Sequence, residues 1–145
     1  MIQMSLHARA VAASPKPLVY VVDDDAGVLG SLRFLLETDG FAVRTFRSGA
    51  ALLNAPLLAD ADCFLIDYKM PDINGIDLVG NLRACGVTAA AILITGYPDG
   101  KISARAADAG VKHVLQKPIL EESLVKHIRE AIQEGIVAAS RTPPK

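Results

Sequence analysis

Five short apolar runs punctuate the chain, at residues 18–22, 41–46, 63–66, 90–94 and 112–115, and a helix-like segment follows each. Four of the runs are near-continuously apolar, as suits strands buried on both faces of a parallel sheet. The second, FAVRTF, alternates through Arg44 and Thr45, as an edge strand would. Between the runs, Val28, Leu32, Leu35 and Leu36 recur at helical spacing, and Leu124, Ile128, Ala131 and Ile132 repeat it. Asp25 before the first helical segment, Ser48 before residues 49–55 and Asp99 before a segment ending at Ala109 stand where N-caps belong. Gly40 and Gly110 sit just past helix-like stretches, where a left-handed residue closes a helix.

A strand–helix alternation with a period of about 20–25 residues predicts parallel strands joined by right-handed crossovers. Five such units fit an α/β, flavodoxin-like (βα)5 doubly wound sheet of strand order 2-1-3-4-5, and fall short of an eight-unit barrel. The expected organisation is a flexible leader over residues 1–17, one domain over 18–134 and a flexible tail over 135–145.

Composition adds exclusions. The 145 residues are 51% hydrophobic and 21% charged with a net charge of −1, an ordinary profile for a soluble domain and no electrostatic footprint for nucleic acid. His7 and Arg9 break the leader before a signal-peptide core can form. No run reaches the ~18–20 apolar residues of a membrane helix, so a soluble cytoplasmic protein is expected. Cys63 and Cys85 lack zinc-ligand spacing and read as free thiols. His7, His113 and His127 are scattered and read as surface residues.

The chemistry lies at the strand ends, because open α/β sheets place their sites at the carboxyl ends of the strands. LVYVV is followed by Asp23, Asp24 and Asp25, CFLI by Asp67, AILI by Thr95, and HVLQ by Lys117 and Pro118. In the order 2-1-3-4-5 these four strands are adjacent, so carboxylates, a hydroxyl and an ammonium converge on one rim. Crowded carboxylates repel, and a hard cation relieves the repulsion. Mg²⁺ takes one or two carboxylates and recruits a phosphate oxygen, here through Asp24 and Asp67 with Asp23 holding a metal-bound water. A carboxylate can also act as a nucleophile toward phosphorus, and phosphoryl transfer then needs chiefly positioning and charge neutralisation.

The motifs VVDDD, LIDYKMPDINGIDL, LITG and QKP, across roughly residues 18–134, resemble the receiver domains of two-component response regulators. By that resemblance Asp23 and Asp24 match the acidic pair, Asp67 the phosphoacceptor, and Lys69 the position whose backbone carbonyl completes the Mg²⁺ shell. Thr95 and Lys117 match the switch hydroxyl and the family's lysine, and the Lys117–Pro118 bond is expected to be cis. The resemblance implies a phosphoacceptor switch that receives its phosphoryl group from a sensor histidine kinase or phosphotransfer protein. It also implies an output face formed by the fourth helix, fifth strand and fifth helix, roughly residues 101–109, 112–115 and 120–134, which could also serve a homodimer. Beyond Mg²⁺-dependent self-phosphorylation and slow autodephosphorylation, no enzymatic turnover is expected. The spacing of Thr95 and Lys117 is similar to that in FixJ-like regulators, while the eleven residues after Glu134 are too few for a helix-turn-helix domain. No direct nucleic-acid contact and no membrane contact are therefore expected of this chain.

Val114 departs from the family pattern, which commonly has an aromatic residue three positions before the lysine. Tyr97 is the candidate to take over part of that readout. Other classes fit less well. A haloacid-dehalogenase-type phosphatase would place a second aspartate where Lys69 stands, and Asp23–Asp25 would repel the phosphate of a flavin. The alternative kept is a degenerate receiver acting as a phosphorylation-independent protein-binding module.

Overall fold

The computed structural model describes residues 15–97 and 99–141, with side chains of the last helix described as far as Ile136. Strands β1 (Leu18–Val22), β2 (Ala42–Phe46), β3 (Cys63–Asp67), β4 (Ala90–Thr95) and β5 (His113–Gln116) form one parallel sheet in the order β2-β1-β3-β4-β5. Helices α1 (Ala26–Thr38), α2 (Gly49–Leu53), α3 (Gly75–Ala84), α4 (Gly100–Ala109) and α5 (Glu121–Arg141) connect and follow the strands. This is the flavodoxin-like arrangement that the alternating runs imply.

The continuous apolar runs have a simple cause, since successive residues of a strand face opposite sides and both sides are covered. Tyr20, Val22, Phe64, Ile66 and Leu93 pack toward Leu52 of α2, Leu78 and Leu82 of α3, and Ala106 of α4. Val19, Val21, Leu65, Ile92 and Ile94 pack toward Leu29 and Leu36 of α1 and Leu124 and Ile128 of α5. β2 lies at one edge, as its alternation suggests, and β5 lies at the other with residues only half-buried or exposed.

Local signals set most boundaries. The side chains of Asp25, Ser48, Asn74 and Asp99 accept hydrogen bonds from the first amides of α1, α2, α3 and α4. Gly40 (φ +96°) turns the chain out of α1, so that Phe41 N–H reaches back to the Leu36 carbonyl at 3.0 Å, a left-handed closure that favours glycine.

Three expectations are corrected. α2 stops at Leu53 rather than at residue 55, because Ala55 precedes Pro56 and the helical region is disfavoured there. α5 continues through Gly135 to Arg141, so residues 135–141 are helical rather than a flexible tail. One interior glycine costs a helix only about 1 kcal/mol, too little to stop it. His113 and His127 are half-buried, with ring centroids 4.9 Å apart, rather than scattered on the surface. His7 and residues 1–14 of the leader, like residues 142–145, lie outside the described residues.

Candidate functional site

The four strands whose ends carry polar side chains are neighbours in the sheet, and their carboxyl ends form one rim. Asp23 follows β1 directly and is only 3% exposed. Its amide donates to the Phe46 carbonyl at 3.1 Å and its Oδ1 accepts from the Asp25 amide at 2.9 Å. Asp25 in turn caps α1, leaving Asp24 exposed between them. Asp67 ends β3 at 6% exposure and Thr95 ends β4 at 4%. Thr95 Oγ1 accepts from the Tyr97 amide at 3.2 Å, and the Lys117 amide donates to the Thr95 carbonyl at 2.9 Å. The Lys117–Pro118 peptide is cis.

The side chains meet. Lys117 Nζ lies 3.0 Å from Asp67 Oδ1 and 3.6 Å from Asp23 Oδ2. Asp23, Asp24 and Asp67 each offer a carboxylate oxygen, and these atoms all lie within 4.8 Å of one another. Burial pushes the carboxyl of Asp67 above the ordinary range and the negative neighbours Asp23 and Asp24 add to it, while Lys117 works against both. Burial likewise raises Asp23, opposed by the Asp25 amide and by Lys117. For Lys117, burial disfavours the ammonium, but the bonds and charges of Asp67 and Asp23 outweigh it and the net shift is upward. One ammonium thus offsets three crowded acids incompletely. A set of hard oxygen donors with residual repulsion fits Mg²⁺ by charge and by ligand type.

The β3–α3 loop is held against this rim. The Tyr68 amide donates to the Ile94 carbonyl and the Gly75 amide to the Tyr68 carbonyl, both at 2.8 Å. A Cβ on Gly75 would stand 2.5 Å from Leu93 Cδ1 and 2.7 Å from the Asp67 carbonyl oxygen. Glycine alone allows that approach, which brings the start of α3 under Asp67. Lys69 follows within the loop, and a cavity of about 310 Å³ lined by Asp67, Tyr68, Lys69, Thr95, Tyr97, Ile102 and Lys117 opens there. Tyr97 is 85% exposed, and half-buried Val114 packs against the core between the sheet and α2–α4.

Two neighbours of the site were not foreseen from sequence. Arg47 Nη2 donates to the Asp24 carbonyl at 3.3 Å, and the Asp72 carboxylate accepts from the amides of Gly49 and Ala50. Neither contact has a local sequence signal, because each joins residues more than twenty positions apart.

Residues 19–129 match the family described as the response regulator receiver domain. The transcriptional regulatory protein FixJ of Azorhizobium caulinodans is 37% identical over 114 residues, 79% of this chain and 54% of that protein. The response regulator protein TodT of Pseudomonas putida is 31% identical over 126 residues, 87% of this chain and 56% of that protein. Among solved structures, FixJ-N superposes with a TM-score of 0.73 at 31% identity, covering 81% of this chain and 94% of that one. Response regulator StyR superposes with a TM-score of 0.78 at 34% identity, covering 86% and 63%. The chain spans about half the length of the curated relatives it matches.

Proposed function

This chain belongs to the response regulator receiver domain family and fits its FixJ-like subgroup, and from that premise we propose that it is a two-component phosphoacceptor switch with Asp67 as the acceptor. The observation that carries the assignment is the placement of Asp67: buried at the end of β3, 3.0 Å from Lys117 Nζ and within 4.8 Å of the carboxylates of Asp23 and Asp24. A nucleophile there sits buried at a strand end and is surrounded by groups that manage negative charge.

In the proposed transfer, a carboxylate oxygen of Asp67 attacks the phosphorus of a phosphohistidine on a sensor kinase or phosphotransfer protein. An O–P bond forms as the N–P bond breaks, and the imidazole leaves with the electron pair and takes up a proton. Asp23, Asp24, Asp67 and the Lys69 backbone carbonyl would hold Mg²⁺, which supplies neutralisation of the acidic cluster and of the phosphoryl oxygens. Lys117 exchanges its contact with the carboxylate for one with the phosphoryl group, and the Thr95 hydroxyl donates to a phosphoryl oxygen. The phosphoryl group, which carries about −1.5 to −2 in place of the carboxylate's single charge, draws the Thr95 loop inward and shifts the population of the face formed by α4, β5 and α5. That face receives the output partner and can serve a homodimer. The setting is the cytoplasm, and no membrane or nucleic-acid contact is assigned to this chain. Its chemistry is self-modification, not turnover of an outside substrate.

The test is intact mass after incubation with acetyl phosphate and Mg²⁺. A gain of about 80 Da, one phosphoryl group, is expected, absent from Asp67→Asn and from a sample with EDTA. A gain persisting in Asp67→Asn would reject Asp67 as the acceptor. One observation favours a second reading, a phosphorylation-independent binding module: the site's fifth strand carries Val114 where receivers commonly have an aromatic switch residue. Failure to gain mass together with failure to bind beryllofluoride would select that reading.

A further inference from the structure

The turn between β2 and α2 gives no side chain to the acidic trio, yet it holds both the loop that carries Asp23 and Asp24 and the loop that follows Asp67. On one side, the Asp23 amide donates to the Phe46 carbonyl at 3.1 Å and Arg47 Nη2 donates to the Asp24 carbonyl at 3.3 Å. On the other, Asp72 Oδ2 accepts from the Ala50 amide at 3.0 Å and Oδ1 from the Gly49 amide at 3.4 Å. Asp72 belongs to the same loop as Lys69. The contact is close-fitting as well as polar, since a Cβ on Gly49 would stand 2.2 Å from Ile73 Cγ2.

The capping of α2 is therefore divided. Ser48 Oγ accepts from the Ala51 amide at 3.0 Å, the ordinary local cap. The two amides before it have no intrahelical partner, and a carboxylate from a distant loop takes both. The Ala50 bond first, against the opposing effect of burial, and then the amides of Gly49, Asp72 and Ile73 hold the Asp72 carboxyl below its usual range. The β3–α3 loop is thus pinned at three places: to β4 through Tyr68, to the start of α3 through Gly75, and to the β2–α2 turn through Asp72. The segment that includes Lys69 lies between those anchors.

We propose that Asp72 is a positioning residue for divalent-cation binding: through the β2–α2 turn it sets the separation between the loop carrying Asp24 and the loop that follows Asp67 and carries Lys69. This rests on the reading of the trio as a Mg²⁺ site. Residues that orient metal ligands without touching the metal typically affect affinity 10–100-fold, and a cluster of like charges will spread unless its loops are tied.

Mg²⁺ alone is titrated into the wild-type chain, Asp72→Ala, Asp72→Asn and Ser48→Ala, followed by backbone amide shifts, with urea unfolding measured on each without Mg²⁺. Asp72→Ala is expected to weaken Mg²⁺ binding about tenfold. Asp72→Asn, which keeps one acceptor oxygen, should fall between it and wild type, and carries the test if the alanine variant does not fold. Ser48→Ala removes a cap of the same helix and is expected to lose stability while keeping its Mg²⁺ affinity. An affinity for Asp72→Ala within about twofold of wild type, or an equal loss in Ser48→Ala, would reduce Asp72 to a helix cap and overturn the proposal. Absence of Mg²⁺-dependent shifts around Asp23, Asp24 and Asp67 in the wild type would instead remove the metal reading itself, and the proposal with it.

Discussion

His113 shows how much a single ring can depend on its neighbours. It lies on β5 with its ring edge-on to His127 of α5, at an interplanar angle of 73°. His127 Nδ1 is 2.7 Å from the Ser123 carbonyl, whereas the buried Nε2 of His113 has no partner among the described residues. Burial holds the His113 imidazole below its ordinary value. His127 and Lys112 push in the same direction, and Glu134 and Glu130 oppose them. The folded chain therefore binds fewer protons at this position than the unfolded chain does. Its stability contribution is complete above the unfolded value of about 6.5 and is lost as pH falls through that value toward the folded one. Urea midpoints are expected to drop between about pH 7.5 and 5.5, with a smaller drop in His113→Gln. Equal drops in the two proteins would show that other groups carry the dependence.

At the scale of elements, Arg83 joins pieces that the chain separates. From α3 its Nη1 donates to the carbonyls of Val87 at 3.0 Å and Ala89 at 2.7 Å, and its Nη2 donates to Gly110 at 2.8 Å. The guanidinium so fixes the turn entering β4 and the end of α4, where Gly110 has φ +94°. Burial disfavours the charged guanidinium and lowers its pKa, a cost offset by three charge-assisted bonds. Arg83→Ala leaves those carbonyls without their donor, and a loss of about 2 kcal/mol in urea unfolding is expected. A loss below about 0.5 kcal/mol, the range of ordinary surface substitutions, would mean that water replaces the guanidinium. The element matters to function because α4 is part of the proposed output face.

At the scale of the molecule, the question is how charge added at the rim reaches that face. Thr95 is buried at the end of β4 and is bonded through Oγ1 to the Tyr97 amide, while the Tyr97 ring stands in solvent. In the proposed switch, drawing Thr95 inward would break or redirect that bond and move the loop. Val114 is already packed against the core and has no large side chain to swing. On phosphorylation, the NMR signals of the Tyr97 ring are expected to shift while contacts of the Val114 methyls stay unchanged. An unmoved Tyr97 ring would rule out this route of coupling. No helix among the described residues is long and apolar enough to cross a membrane.

The sequence by itself determined the order of elements, the sheet topology and the rim. Both faces of the sheet are covered, so its strands read as continuous apolar runs, and parallel topology sends the residue after each run to the same edge. Asp23, Asp67, Thr95 and Lys117 could be grouped for that reason, and the caps at Asp25, Ser48 and Asp99 were legible because they act within one turn. Tertiary structure alone decided what depends on separations in space. It brought Lys117 to 3.0 Å from Asp67, set Asp72 on the amides of α2, and placed His113 against His127. It also carried α5 past Gly135, where propensity gives only a weak signal. Contacts between distant residues leave no periodicity in a chain, and they form only when the packed sheet and helices hold both partners in place.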